Sequence, residues 1–257
     1  MTLSRREALQ NLAGFFLSSP LLSGQGGLPP RDPLLEPVNV FDFKKLAKAK
    51  LDPIAWDYMA EGGKDEVSLR ENRKAFERLI LRPRWLTDVH KIDLTTELLG
   101  HTMKYPIYIC PAGGKNCFYP DGEAETARGA AAAEAHMITN GGIDELMQSG
   151  QGPKTCWHYT IGGQFRTKNT MLNFVERVED GGYSGICFTV DNMLVSHRER
   201  SIHNRFVRTW CNEGGVPRDE QGKVVHRASD LDKIWRSDVY PSRPFPTATW
   251  DTVRQLR

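Results

Sequence analysis

The sequence predicts an α/β fold with parallel strands, of the (β/α)₈ barrel type. Short apolar runs typical of buried strands recur at residues 105–110, 137–140, 154–161 and 186–190. Helical patterns separate some of them, an alanine-rich one over 124–135 and an amphipathic one over 169–180. Such a barrel takes ~250 residues, and the repeating pattern begins only at Gly100. We therefore expect the first half of a barrel, truncated after about four β/α units.

Residues 1–28 differ from the rest of the chain. Ser4-Arg5-Arg6 is followed by the moderately apolar run 12–17, a pattern that resembles a bacterial twin-arginine (Tat) export signal. The apolar run is too short for a transmembrane helix. We predict an exported, periplasmic protein with no stable membrane span, the alternatives being a frayed basic N-terminus and a cytoplasmic protein.

Residues 29–99 are predicted to be a linker and a helical extension. Four prolines between Pro29 and Pro37 indicate the linker. Helices are predicted over 41–50, 53–59 and 65–81, the last with apolar residues at helical spacing. This part contains the segments W-D-Y-M-A-E-G-G-K-D-E, L-R-E-N-R-K-A-F and L-R-P-R-W-L.

Polar or glycine residues follow each predicted strand from Gly100 onward. Gly113 and Gly114 come after the first strand, and Asn140 ends the second. The fourth strand runs into F-T-V-D-N-M-L-V-S-H-R-E-R-S-I-H-N-R-F, which is polar and then strongly basic. Because residues past the carboxyl ends of barrel strands face the active site, Thr189, Asp191 and Arg198 are candidates for chemistry.

A long polar segment over 207–246 is predicted to be a surface loop or lid. Another helix is predicted to start near Thr249, its candidate N-cap. These elements complete the predicted barrel half, residues 100–257.

The composition is that of a soluble globular chain and excludes some classes of function. The sequence has 34 basic and 32 acidic residues, a formal net charge of +2, which gives no electrostatic case for a nucleic-acid partner. The five cysteines lack C-x-x-C pairing, so we predict neither a disulfide framework nor a metal site. Cys110 and Cys187 are interpreted as core thiols.

The segments quoted above closely resemble those of the FMN-dependent 2-hydroxy acid oxidases and dehydrogenases, the glycolate oxidase and lactate oxidase family. T-V-D, six intervening residues, R-E and then I-x-N-R-F is the family's pattern, as are its N-terminal segments. The resemblance covers roughly residues 40–257 and implies FMN as cofactor. It also implies a small L-2-hydroxy acid, lactate-like or glycolate-like, as substrate, and a homo-oligomer at full length.

The match assigns roles residue by residue. Tyr58 takes the place of the tyrosine that bonds the substrate carboxylate. Thr189 is implied to contact FMN, Asp191 to hold the catalytic histidine, and Arg198 to act on the substrate or on the charge that develops near it. The backbone at Ala112 and Gly113 takes the place of groups that bond the flavin ring.

Two stretches depart from the family. Asn140 stands where the family has serines and a threonine, and we predict that its amide donates to the flavin. The stretch 154–161 replaces F-Q-L-Y and admits two registers. One puts Tyr159 on the family's tyrosine and Trp157 on its glutamine. The other puts His158 on the glutamine and Thr160 on the tyrosine. Tyr159 is the catalytic candidate and His158 the cofactor-binding one.

The family's second half carries a lysine near the flavin, an S-N-H-G-G-R-like motif with the catalytic histidine, and the FMN phosphate segments. None of these motifs is found among the 257 residues. We therefore expect the chain to be inactive alone. Three hypotheses remain: a flavin-dependent 2-hydroxy acid oxidase or dehydrogenase, a non-catalytic half-barrel remnant or interaction module, and another FMN barrel enzyme with a different substrate.

Overall fold

The computed structural model describes residues 37–161, 167–190, 196–228, 230 and 249–256. The chain divides into two compact units, Met1–Lys50 and Leu51–Arg257. In the first unit, helix α1 spans Val40–Lys50, as the sequence predicts. The side chains of Asn39 and Asp42 accept backbone N–H groups at its start, which satisfies donors that the first turn leaves unpaired.

The second unit begins with helix α2 (Pro53–Ala60) and helix α3 (Val67–Lys74). Asp52 caps α2 by accepting from Ile54 N, and Pro53 occupies the first turn, where no N–H is needed. A two-stranded antiparallel sheet follows, formed by β1 (Thr96–Leu98) and β2 (His101–Met103). The hairpin turns through Leu99 and Gly100, both at positive φ.

Four parallel strands form the main sheet, in the order β3 (Tyr108–Ile109), β4 (His136–Thr139), β5 (Cys156–Ile161) and β6 (Gly185–Thr189). All four predicted strands are confirmed, although β3 is much shorter than the apolar run around it. Each strand pairs with the next one along the chain, as in a barrel. Within the described residues the sheet stays open at β3 and β6 and does not close.

Helices cover one face of this sheet. Helix α4 (Gly122–Ala132) connects β3 to β4, α5 (Asp144–Gln148) follows β4, and α6 (Lys168–Asp180) precedes β6. A capping box formed by Thr167 and Thr170 starts α6. The core lies between sheet and helices, where small alanines allow close packing; it contains Ala127, Ala130, Met137, Ile143, Cys156, Phe174, Val178 and Tyr183.

The segment after β6 is more ordered than a loop. It contains helix α7 (Glu199–His203) and a 3₁₀ helix, Arg208–Asn212. Arg218 and Val224 form an isolated antiparallel β-bridge. Helix α8 spans Trp250–Leu256. The predicted loop over 207–246 is therefore structured through residue 228, while 229 and 231–248 lie outside the described residues.

The cysteine predictions are wrong at two points. Cys117 and Cys211 form a disulfide that joins the 3₁₀ turn Lys115–Cys117 to the 3₁₀ helix Arg208–Asn212. Their separation of 94 residues hid the pair from reasoning on spacing. Cys110 is exposed and Cys187 is half-buried, so neither is a core thiol; Cys156 takes that place.

The helix predicted over 65–81 is also only partly correct. Helix α3 ends at Lys74, a 3₁₀ turn follows over Ala75–Arg78, and the chain then extends. Every residue from 76 to 95 is exposed. Phe76, Leu81, Trp85 and Leu86 are among the most exposed apolar residues of the chain. The helical pattern continues past Lys74 without a packed surface to stabilise it.

No helix in the described ranges is both long and apolar enough to cross a lipid bilayer.

Candidate active site

The candidate residues gather where the parallel strands end. Ala112 and Gly113 follow β3, Asn140 follows β4, and Thr189 is the last residue of β6. Parallel strands end at one common edge, so these positions share that edge. Asp191, the predicted partner of a histidine, lies outside the described residues.

Strand β5 separates its two candidates onto opposite faces. His158 packs edge-on against Phe174 and Tyr183, each with ring centroids 5.2 Å away, on the helix-covered face. Tyr159 therefore points to the other face, here called the inner face. Thr189 shares the inner face, since Tyr159 pairs with Cys187 two residues before it. Of the two possible registers, this placement agrees with the one that uses Tyr159 and Trp157.

The ring of His158 lies on the opposite face of β5 from the side chain of Tyr159 and from Gly113. Burial lowers the pKa of His158 below its ordinary value of 6.5, and its Nδ1 lies 2.8 Å from the carbonyl oxygen of Tyr159. A neutral ring whose Nδ1 donates to that carbonyl accounts for both observations. His158 is thus a half-buried, hydrogen-bonded residue whose ring lies on the helix-covered face, away from Gly113.

Three polar groups surround the space above Gly113. A Cβ placed on this glycine would lie 3.3 Å from Tyr159 Oη, 3.8 Å from Arg208 Nη2 and 4.0 Å from an amide atom of Asn140. Glycine therefore leaves the backbone open to a ligand that a side chain would displace. Arg208 was missed by sequence reasoning because it lies in the segment interpreted as a loop.

Glu123 organises the loops after β3 and β4. Its carboxylate, almost completely buried, pairs with Lys115 Nζ at 2.7 Å and accepts from Thr139 Oγ1 at 2.6 Å. The Asn140 amide, in the orientation that satisfies its neighbours, donates to both carboxylate oxygens, at 3.1 Å and 2.8 Å. The nitrogen predicted to donate to the flavin is therefore engaged by Glu123.

Tyr58 and Arg198 are brought together across 140 residues of sequence. The Arg198 guanidinium lies 4.9 Å from the centroid of the Tyr58 ring, and its Nη1 donates to the Tyr58 carbonyl oxygen at 3.0 Å. Phe206 stacks on the same ring at 4.3 Å. These contacts fix the tyrosine between a cation and an aromatic ring.

Polar contacts between α2 and α7 hold this pair. Glu61, which is buried, accepts from both the backbone N (3.0 Å) and the hydroxyl of Ser201. Asp57 accepts from Arg200 at 3.2 Å and from Asn204 at 2.7 Å. The sequence order alone gives no sign of this network, because its partners lie far apart along the chain.

A cavity of about 420 Å³ opens between the loop after β4 and α6. His158 and Phe174 line part of it. Its polar lining includes Arg177 and the hydrogen-bonded pair Tyr183 and Asp144. It lies beside the site above Gly113, with Asn140 and Tyr159 shared between them.

A parallel α/β sheet with its polar groups at the carboxyl ends of the strands is typical of barrel enzymes. The model of the FMN-dependent dehydrogenase family matches residues 47–257, and the chain belongs to that family. The family fold is a (β/α)₈ barrel. The described residues of this chain form an open sheet of four parallel strands.

Named relatives support the same placement. The chain is 36% identical over 220 residues to a peroxisomal (S)-2-hydroxy-acid oxidase of Oryza sativa subsp. japonica, covering 83% of this chain and 58% of that protein. It is 39% identical over 176 residues to glycolate oxidase 1 of Zea mays, covering 67% and 47%.

Solved structures of similar fold include mandelate oxidase and (S)-mandelate dehydrogenase from Pseudomonas putida. The first has a TM-score of 0.66 at 26% identity and covers 86% of this chain and 59% of that one. The second has a TM-score of 0.64 at 25% identity and covers 85% and 60%. The chain thus spans about half to three-fifths of the length of these relatives.

The residues present fit part of an FMN site. The family is FMN-dependent, and the glycine at 113 leaves the backbone after β3 accessible to a planar ring. The hydroxyls of Tyr159 and Thr189 lie on the same inner face, where they are available as polar contacts.

Proposed function

We propose that this chain contributes the first half of an FMN-dependent 2-hydroxy acid oxidase or dehydrogenase. The observation that carries the proposal is the meeting of Gly113, Tyr159 and Arg208 on the inner face of a sheet of this family. The relatives named above are oxidases and dehydrogenases of 2-hydroxy acids, which supports that substrate class.

The backbone at Ala112 and Gly113, together with Thr189, would hold the FMN ring. When bound, FMN supplies the acceptor for the two electrons and the α-hydrogen of the substrate. Tyr159 offers a hydroxyl beside the reacting oxygen, and Tyr58 with Arg198 offers a hydroxyl and a positive charge for the substrate carboxylate. Asp191 is proposed to orient the catalytic histidine.

We further propose that these residues are only part of the catalytic apparatus. None of the seven histidines lies in an S-N-H-G-G-R-like motif, and His158, which is half-buried, is turned to the helices. The base that takes the hydroxyl proton must then come from a segment that corresponds to the part of the relatives that this chain does not match. The chain alone is expected to be inactive and to bind FMN weakly.

Flavin binding tests this proposal. The purified chain is titrated into FMN, and quenching of flavin fluorescence reports binding. Bound flavin is then mixed anaerobically with glycolate, L-lactate and (S)-mandelate. Weak binding without bleaching supports the proposal, and bleaching by one of these acids would support the substrate class but contradict the expected inactivity of the chain alone. If neither FMN nor any 2-hydroxy acid binds, even when the remaining length of a relative is supplied as a second polypeptide, the proposal fails.

A second candidate function is pairing with another polypeptide. Its support is the run 76–95, in which Leu81, Trp85 and Leu86 are 95%, 85% and 107% exposed. Within the described residues, the edge strands β3 and β6 of the parallel sheet also offer unpaired backbone groups. Light scattering on the purified chain tests it. A chain that stays monomeric, and that does not bind a polypeptide made from the part of a relative that it does not match, would exclude an interaction module.

We also propose export by the twin-arginine route. The signal-like residues lie outside the described ones, and the support from the structure is the disulfide Cys117–Cys211, since disulfides persist in oxidising compartments. Replacing both Arg5 and Arg6 by lysine should retain the protein in the cytoplasm of a bacterial host. An unchanged periplasmic fraction would refute this route.

A further inference from the structure

We infer that the cavity between the loop after β4 and α6 binds a small zwitterion, an α-amino acid with an apolar side chain. His158, Phe174 and Tyr183 line this cavity from the helix-covered face of the sheet. Gly113 and Thr189, which hold the proposed flavin site, are not among the described residues that line it. The inference therefore goes beyond the proposed function and does not depend on it.

The volume and the walls of the cavity restrict its ligand. A volume of about 420 Å³ lies toward the lower end of the range for small-molecule sites, which suits one amino acid better than a nucleotide or a peptide. The rings of Phe174 and Tyr183 are only 5% and 7% exposed, so they form a fixed aromatic wall. Such a wall suits an apolar or aromatic ligand side chain.

Two hydrogen-bond acceptors face the cavity. The Nδ1 of His158 donates to the carbonyl oxygen of Tyr159, and burial lowers the pKa of the ring, so at pH 7.5 its Nε2 has a free lone pair. This Nε2 lies beside Gly141, since a Cβ on that glycine would be 2.8 Å from it. The carboxylate of Asp144 accepts from the Tyr183 hydroxyl and keeps further acceptor sites. An imidazole nitrogen and a carboxylate together suit an ammonium group.

Arg177 supplies the opposite charge to the same cavity. Its guanidinium lies 5.4 Å from the centroid of the Phe174 ring, on the aromatic wall. Neither Arg177 nor Asp144 forms a salt bridge within the described part of the chain, although both line the cavity. Two opposite charges that share a cavity without pairing fit a ligand that carries both, with its carboxylate at Arg177 and its ammonium group at Asp144.

The test is binding of L-phenylalanine to the full chain, measured by isothermal titration calorimetry at pH 7.5. Two analogues each lack one charge: 3-phenylpropionate has no ammonium group, and 2-phenylethylamine has no carboxylate. Each analogue should bind at least about tenfold more weakly than L-phenylalanine, because it loses a charge-assisted contact. This comparison uses wild-type protein alone, so it does not depend on the folding of any variant.

Two variants test the assigned residues. Arg177→Gln and Asp144→Asn should each weaken L-phenylalanine binding about tenfold. Asparagine at position 144 can still accept from the Tyr183 hydroxyl, so the aromatic wall keeps its support. The matched controls are Lys168→Gln on α6 and Glu145→Gln on α5, since neither residue is among the described ones that line the cavity. Far-ultraviolet circular dichroism checks that each variant is folded.

The outcomes decide between a zwitterion site and its alternatives. Binding of L-phenylalanine that exceeds that of both analogues, and that falls in Arg177→Gln and Asp144→Asn but not in the controls, supports the inference. Absence of binding to the wild type overturns it, as does equal affinity in wild type and Arg177→Gln. Binding of 3-phenylpropionate as tight as that of L-phenylalanine would show a plain carboxylate site and overturn the assignment to a zwitterion.

A repeat of the titration with excess FMN separates this site from the proposed flavin site. Unchanged affinity for L-phenylalanine supports a separate cavity. Competition by FMN would place the amino acid in the flavin site and overturn the inference. Failure of FMN itself to bind would count against the proposed function alone, because the titrations without FMN stand by themselves.

Discussion

Arg198 donates to the carbonyl oxygen of Tyr58 at 3.0 Å and covers its ring at 4.9 Å, although 140 residues separate the two. Neither residue holds this geometry alone. Glu61 fastens α2 to Ser201 in α7, and Asp57 fastens it to Arg200 and Asn204. The N-terminal extension thus acts as a clamp on the segment after β6 and positions two candidate substrate-binding residues.

Glu61→Gln is expected to weaken this clamp. Each carboxylate oxygen of Glu61 accepts from one donor of Ser201, and an amide would turn an NH₂ group toward one of them. The free energy of unfolding should fall by about 1–3 kcal/mol, the cost of a buried unsatisfied group. Urea unfolding followed by tryptophan fluorescence measures it.

The control for this change is Glu71→Gln. Glu71 pairs with Arg78 on the surface, with side chains 49% and 61% exposed, so its loss should cost only about 0–1 kcal/mol. Equal losses of stability in the two variants would show that the contact between Glu61 and Ser201 does not hold the clamp.

Removal of the disulfide should destabilise the chain strongly. Cys117 and Cys211 close a loop of 94 residues, and loop-closure entropy for a loop of that size is worth about 4–5 kcal/mol. The variant Cys117→Ser/Cys211→Ser should therefore unfold at lower urea concentration. Wild-type protein in reductant should match it, and reductant should not change the variant further. Wild-type stability that is insensitive to reductant would contradict the bond.

The free cysteines should react in a fixed order. Cys110 is exposed, Cys187 is half-buried with its pKa raised by burial, and Cys156 is buried, which raises its pKa to about 12. Because the thiolate is the reactive form, N-ethylmaleimide should label Cys110 first, then Cys187, and Cys156 only after unfolding. Mass spectrometry of timed samples gives the order. Early labelling of Cys156 would show that the core around α6 is open.

Sequence reasoning found the parallel strands because each is a short apolar run bounded by polar residues or glycine. It also found α6, whose apolar residues recur at helical spacing and which ends before Gly181 and Gly182. These signals are local, so no knowledge of the fold was needed to read them.

The rest depends on contacts that the order of residues does not reveal. The helix predicted over 65–81 stops at Lys74 because the apolar residues after it have no packed partner in the described chain. Arg208 was missed because its importance comes from Gly113, 95 positions earlier. One register of β5 predicts a flavin contact for His158. The contact of its ring with Phe174, together with the alternation of side chains along the strand, shows which face the ring takes.

Stability should fall as the pH falls below about 6.5. Burial lowers the pKa of both His136 and His158 below the ordinary value of 6.5, so folding opposes protonation of both rings. The unfolded chain binds more protons than the folded chain between the lowered pKa values and 6.5, and the free energy of unfolding therefore rises with pH in that window. The contribution of these two histidines to the free energy of unfolding is fully present above about pH 6.5. It is lost as the pH falls through their pKa values in the folded chain.

Urea unfolding at pH 7.5 and at pH 5 measures this dependence. His158→Phe removes one of the two groups while it keeps an aromatic ring against Phe174 and Tyr183, so the stability difference between the two pH values should shrink. His90→Gln is the control, since the His90 side chain is 81% exposed and pairs only with Asp88 among the described carboxylates. A pH dependence that His158→Phe leaves unchanged would mean that His158 is already solvated in the folded chain, and its packing against Phe174 and Tyr183 would be wrong.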